Sequence, residues 1–188
     1  MRVWSAEIPD VLVIEPARHG DGRGFFSEVF RADVLAEHGV QGPWLQDNHS
    51  GSPVRGTVRG LHFQRPPVAQ GKLVRVTRGA VLDVAVDLRL GSPWLGRFVA
   101  ERLDAENWRQ LWVPPGFAHG FCTLEPDTEV LYKVTAPYAP AADAGLRWDD
   151  PEVAIPWPVS ADAAVVSAKD RAAPLLSGFE SPFRWERP

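Results

Sequence analysis

Apolar residues recur along this chain in short alternating runs, each closed by glycine, proline or a pair of charges. "KLVRVTRG", "AVLDVAVDLRLGSP", "RQLWVPPG", "HGFCTL" and "EVLYKVTAPY" follow one another through the middle of the sequence. They are rich in valine, leucine and aromatic residues, and the turn signals between them come at strand spacing. In "VLDVAVDL", Val81, Asp83, Ala85 and Asp87 share one face, and Leu82, Val84, Val86 and Leu88 share the other. One face is mixed and one wholly apolar, as in a two-layer sheet whose mixed face lines a cavity. Helix signals are few. "RADVLAEHG" ends on a glycine suited to a C-cap, and "DAAVVSAKDRAAPLL" is alanine-rich but broken by proline. The pattern predicts an all-β fold, a jelly-roll sandwich or barrel with a few short helices.

The 188 residues suit a single domain, 1–188, with a real core. No internal repeat or low-complexity segment divides them, and 16 glycines and 18 prolines are spread evenly rather than gathered in a linker. Apolar residues make up 45% and charged residues 23%, with a net charge of −4 and no basic run. That balance argues against a nucleic-acid partner, although local arginines can still hold small anions. Cys122 is the only cysteine, which excludes an internal disulfide and a cysteine-rich zinc site. The opening stretch "MRVWSAEIPDVLVIEP" lacks the unbroken apolar run of a signal peptide, and no stretch reaches the ~20 apolar residues of a membrane helix. A soluble cytoplasmic protein without a membrane partner is the expectation.

The 20 basic residues include only three lysines, Lys72, Lys133 and Lys169, and there are two tyrosines, Tyr132 and Tyr138. The segment "RGLHFQ" places a lone histidine, His62, in an apolar run three residues after Arg59. His62 can be a packed core residue, a metal ligand or a general base. A metal site on one strand would need His-x-His, which is absent, and His62 with the distant His119 makes too small a donor set. A base needs a carboxylate on its other nitrogen to fix the tautomer, and Asp170, Asp83 and Asp87 are all candidates. Arg59, Lys72, His119 and Tyr132 fall in segments that otherwise read as buried strands. Long cations enter such a layer to meet an anion or a wet cavity. Strict alternation sets Arg59 and His62 on opposite faces, so both reach one cavity only if Gly60 marks a bulge.

The motifs "QDNHS", "RGLHFQ", "QGKLVRV", "DVAVDLR", "SPWLGRF", "ENWRQLWVPPGFAHGF", "YKVTAPY", "GLRWDDP" and "SAKDRAAPLL" stand in an order that resembles the dTDP-4-dehydrorhamnose 3,5-epimerases, metal-free cupin-type enzymes of deoxysugar biosynthesis. The similarity runs from about Ile8 to Phe183. It implies a cupin-type jelly roll, no cofactor, and a dTDP-4-dehydro-6-deoxyglucose substrate epimerised at carbons 3 and 5. By the same resemblance His62 is the general base, Asp170 orients it, and Tyr132 donates a proton on the opposite face. Lys72, with Arg59, stabilises the enolate oxygen. Arg23, Phe26, Glu28, Gln46 and Asn48 become nucleotide-sugar contacts, Tyr138 stacks on thymine, Arg59 and His119 lie by the diphosphate and sugar, and Lys169 is a further contact. Members of the family are usually homodimers in which an N-terminal segment reaches the partner's site.

The chain departs from the family pattern at Trp94 and Leu95, and at Ala141, where an acidic residue is common and Asp143 is the nearest carboxylate. Other readings are a mono-epimerase of an antibiotic-sugar pathway, a sugar-nucleotide ketoisomerase on the same fold, and a non-catalytic nucleotide-sugar-binding cupin. The last predicts loss of His62 or Tyr132, and both are present.

Overall fold

The structure is a computed structural model that describes residues 1–186; Arg187 and Pro188, the end of the expected 1–188 domain, lie outside the described residues. Strands appear where the alternating runs stand. In chain order they are β1 Arg2–Ser5, β2 Leu12–Glu15, β3 Arg18–Asp21, β4 Gly24–Ser27, β5 Gln46–Ser52, β6 Thr57–Gln64 and β7 Lys72–Arg78. There follow β8 Ala80–Asp87, β9 Phe98–Asp104, β10 Gln110–Val113, β11 Phe117–Thr123, β12 Thr128–Val134, β13 Asp143–Gly145 and β14 Val165–Val166. Helices are short: α1 Ala32–Ala36, α2 Ala168–Arg171 and a 3-10 turn at Leu176–Gly178. The "RADVLAEHG" helix closes early, and Gly39 beyond it takes φ +80, the left-handed conformation expected of a terminating glycine.

Two sheets face each other. One has the order β1-β2-β10-β7-β12-β5, the other β13-β6-β11-β8-β9 with β14 added beside β6, while β3 and β4 form a separate hairpin. Valines and leucines on the inward rows build the layer between them: Val74 and Val76 from β7, Val81 and Ala85 from β8, Val130 from β12, with Phe117 and Phe121. Each such side chain contributes about 1.5–3 kcal/mol when fully buried.

The mixed face of β8 points into this interior, and both of its carboxylates are buried. Asp87 takes Arg89 and Ser92, while Asp83 takes His119. The apolar face of β8 does not meet water. Val84, Val86 and Leu88 pack with Leu61, Leu146 and Phe183 under the C-terminal segment, so this strand is buried on both faces. On the outside of the six-stranded sheet a third cluster, Ile14, Leu35, Leu73 and Trp112, sits beneath α1.

Candidate active site

The inward apolar rows give way to polar side chains in one region between the sheets. There Lys72 precedes Val74 on β7, Tyr132 stands between Val130 and Val134 on β12, and His119 precedes Phe121 on β11. A cavity of about 440 Å³ is lined by Arg59, His62, Lys72, His119, Tyr132, Asp170 and other residues. A second cavity of about 240 Å³ shares His62, Lys72, Tyr132 and Lys169 and adds Gln46, Asn48, Tyr138 and Asp143. The two cavities adjoin across these shared side chains and together make up a groove.

Arg59 and His62 both reach the groove because β6 carries a bulge. His62 pairs with His119 and Arg59 with Phe121, so β6 holds one residue more than β11 across that interval. Gly60 makes the bulge possible. Its φ is +136, and a Cβ there would stand 2.5 Å from the Cα of Gly120, so a side chain has neither the conformation nor the space. Arg59 then crosses to the opposite sheet, donating from Nε to Ser52 Oγ at 3.2 Å and from a terminal nitrogen to the Gly51 carbonyl at 3.0 Å.

Among the three carboxylates left open by the sequence, Asp170 pairs with His62. His62 Nε2 lies 2.7 Å from Asp170 Oδ1, and the Gly60 N–H donates to Oδ2 at 3.3 Å. The carboxylate only accepts, so Nε2 carries the hydrogen and Nδ1 is left as the basic atom. Ser167 caps α2, its Oγ accepting from the Asp170 N–H at 3.1 Å, and this fixes the carboxylate. Burial alone would raise the pKa of Asp170, but the His62 contact and the Gly60 and Ser167 bonds hold it below the usual carboxylate value. Asp83 instead forms a second histidine–carboxylate pair, with His119 Nε2 at 2.9 Å. Burial pushes His119 below its ordinary pKa, against the pull of Asp83, so the ring is neutral near pH 7.

Lys72 is 7% exposed and donates from Nζ to the His62 carbonyl at 3.1 Å. Desolvation lowers its pKa to about 8, with Asp83 and Asp143 acting the other way. Burying an ammonium costs several kcal/mol, more than the about 1.5–3 kcal/mol a leucine would contribute there. Stability therefore does not explain a lysine at this position. Burial raises the pKa of Tyr132, with Arg59 opposing, so the phenol keeps its proton at neutral pH. At the outer end, Asp143 Oδ2 accepts from Tyr138 Oη at 3.0 Å and from Lys169 Nζ, while Gln46 Oε1 accepts from the Tyr138 N–H at 2.8 Å. The ring of Tyr138 is thereby held half-exposed beside the groove.

Arg23, Phe26 and Glu28 do not line either cavity. They lie on and just after the β3–β4 hairpin, which packs over the outer face of the six-stranded sheet through Phe25 against Trp108, with Arg18 stacked on both rings. Arg23 pairs with Asp21 and Glu28 with Arg31, and Phe26 is 72% exposed. Ser50, which the motifs do not single out, also lines the groove, with a buried hydroxyl that has no partner among the described residues. Period-two alternation from Gln46 and Asn48 along "QDNHS" would have found it. Ser167 was missed as well, and its Ser-x-x-Asp cap was the available signal.

A family model described as dTDP-4-dehydrorhamnose 3,5-epimerase matches residues 5–178. The chain is 52% identical over 185 residues to the dTDP-4-dehydrorhamnose 3,5-epimerase of Sinorhizobium fredii, covering 98% of this chain and 94% of that one. It is similar to the dTDP-6-deoxy-D-glucose-3,5-epimerase of Legionella pneumophila, solved in complex with dTDP-4-keto-L-rhamnose, with TM-score 0.93, 42% identity and 99% of both chains covered. It is similar too to the Bacillus anthracis dTDP-4-dehydrorhamnose 3,5-epimerase, solved with TDP and PPi bound, with TM-score 0.89 and 49% identity over 93% of this chain and 99% of that one. Sequence, fold and the order of motifs along both sheets agree, and the chain belongs to the dTDP-4-dehydrorhamnose 3,5-epimerase family.

Proposed function

We propose that the protein epimerises dTDP-4-dehydro-6-deoxy-D-glucose at carbons 3 and 5, giving dTDP-4-dehydro-L-rhamnose, on a single domain of residues 1–188. The observation that carries this reading is the placement of a base and an acid on opposite sheets of one cavity. His62, backed by Asp170, belongs to β6, whereas Tyr132 belongs to β12 in the facing sheet. Inversion requires a proton to leave one face of the sugar ring and another to arrive on the other face.

His62 Nδ1 takes a proton from the carbon beside the ketone, and the C–H electron pair becomes the enolate π bond. Charge grows on the carbonyl oxygen, where Lys72 donates; in a water-poor groove such a donor is worth far more than in bulk water. Tyr132 then protonates the carbon from the other face. The imidazolium on His62 is balanced by Asp170 and returns its proton to solvent, and the Tyr132 phenolate takes one from solvent, so both groups are restored.

Gln46, Asn48, Tyr138, Asp143 and Lys169 gather at the outer end of the groove, which suits the nucleotide, with the Tyr138 ring free to stack on thymine. Arg59 and His119 stand nearer the diphosphate and sugar. Arg23, Phe26 and Glu28 serve the groove of a second copy in a homodimer. Phe25 and Phe26 are 54% and 72% exposed, an apolar patch of the kind a partner covers. Strand β1 lies at the edge of its sheet, where an N-terminal segment can meet that copy. Among the described residues no helix is long and apolar enough to cross a membrane, and a cytoplasmic location suits the lone buried thiol of Cys122.

NMR of the protein with dTDP-4-dehydro-6-deoxyglucose in heavy water tests the reading. Deuterium entering at both carbons with inversion is the expected result. Entry at one carbon alone makes the protein a mono-epimerase, and no entry overturns the function.

A further inference from the structure

Asp83 takes no part in the chemistry above, yet it is fully buried, and only one of its oxygens is used. Oδ1 accepts from His119, while Oδ2 is buried with no hydrogen-bond partner among the described residues. Such an orphan oxygen is costly and uncommon in folded proteins. The neighbouring carboxylates are already committed. Asp170 uses both oxygens, on His62 and on the Gly60 N–H, and Asp143 receives Tyr138 and Lys169.

The cations divide the same way. Lys169 is held by Asp143, and Arg59 by Ser52 and the Gly51 carbonyl. Lys72 has, among the described residues, only the carbonyl of His62. The two remaining titratable neighbours carry no charge to spare, since His119 is neutral and Tyr132 keeps its proton. A buried carboxylate oxygen on β8, without a partner among the described residues, and an uncommitted ammonium on β7 therefore remain, on facing sheets. Asp83 is also the strongest attractive charge acting on Lys72, ahead of Asp143.

We propose that Asp83 is a positioning residue of the active site, whose carboxylate is the counter-charge that holds Lys72 as an ammonium while it orients His119. The catalytic consequence rests on the reading that Lys72 meets the substrate carbonyl; the charge balance itself does not. Even with Asp83 in place the Lys72 pKa falls to about 8. Without it the side chain becomes a neutral amine near physiological pH, a much poorer donor to a developing oxyanion.

Asp83→Asn keeps the size and an acceptor for His119 and removes the charge. The chain has three lysines, so lysine labelled with carbon-13 at Cε gives three resonances, and Lys72→Arg identifies one of them. In the parent the Lys72 signal should titrate at about pH 8. In Asp83→Asn its midpoint falls by about one unit or more, while Lys133 and Lys169 hold their positions. The alkaline limb of kcat/KM moves with it, and Asp83→Glu restores both.

If the Lys72 midpoint stays put and the rate falls equally at every pH, Asp83 only holds His119 and the proposal is overturned. If the midpoint moves but the limb does not, the counter-charge stands and Lys72 leaves the mechanism, which overturns the functional reading instead. Should the Asn variant not fold, Asp83→Ser removes the same charge and carries the same expectations.

Discussion

When His62 accepts a proton it becomes an imidazolium whose Nε2 lies 2.7 Å from Asp170 Oδ1. With charge centres about 4 Å apart and an effective dielectric near 20, the carboxylate stabilises that cation by about 4 kcal/mol. The His62 side chain is 36% exposed, and solvent screening brings the figure to about 2–4 kcal/mol. Asp170→Asn removes this charge but leaves a carbonyl to accept from Nε2–H. The expected loss in kcat is therefore about 30- to 10³-fold at about 1.36 kcal/mol per decade. The upper end is favoured, because the amide NH₂ of asparagine would face the Gly60 N–H that now donates to Oδ2, two donors in opposition. The assay is single-turnover deuterium entry into the sugar, with TDP affinity measured alongside. Affinity should hold, since the change lies at the sugar end. A rate within about threefold of the parent at unchanged affinity would refute the reasoning, because the imidazolium would then need no carboxylate.

Gly60→Ala must fit a Cβ that now has 2.5 Å to the Gly120 Cα at φ +136. Overpacking and backbone strain of about 1–3 kcal/mol each should lower the urea midpoint at constant m, and an unchanged midpoint would show that the bulge is soft. Tyr132→Phe should cut epimer formation by about 10²-fold or more while solvent deuterium still exchanges at the carbon without inversion. Turnover equal to the parent would remove Tyr132 as the acid. His119 is held below its ordinary pKa of 6.5, so between the two values the unfolded chain binds more protons than the folded one. Stability should accordingly be complete above about pH 6.5 and decline as pH falls below it, and His119→Gln should flatten that decline. Equal slopes for parent and variant would assign the acid sensitivity to other groups.

Much of the fold was legible because strand alternation is a local property. Each run from "KLVRVTRG" to "EVLYKVTAPY" became a strand, and β8 turned its Asp83 face inward as its period required. The double burial of β8 was not legible, because the Phe183 and Leu176 that cover it come from nearly a hundred residues downstream and no local pattern announces the contact. The site divides similarly. Gly60 in a strand did signal the bulge that brings Arg59 and His62 together. The choice of Asp170 over Asp83 for His62 depends on which strand lies beside which, and sequence spacing carries no such information; only the family resemblance pointed to it. Arg23, Phe26 and Glu28 fall on and just after the β3–β4 hairpin and line neither cavity of their own chain, a placement that depends on how the hairpin packs and that no local pattern announces.

The wide separation of His62 and Asp170, 108 residues along the chain, bears on the order of events at synthesis. A ribosome delivers the chain from its N-terminus, so β6, β7, β11 and β12 are available to collapse before α2 has been made. The histidine, lysine and tyrosine can thus be assembled while the carboxylate is still missing. It arrives with the last stretch, the one that also closes over β8 and completes its second hydrophobic face. Under the roles proposed for His62 and Asp170, the base gains its carboxylate only when α2 docks beside β6.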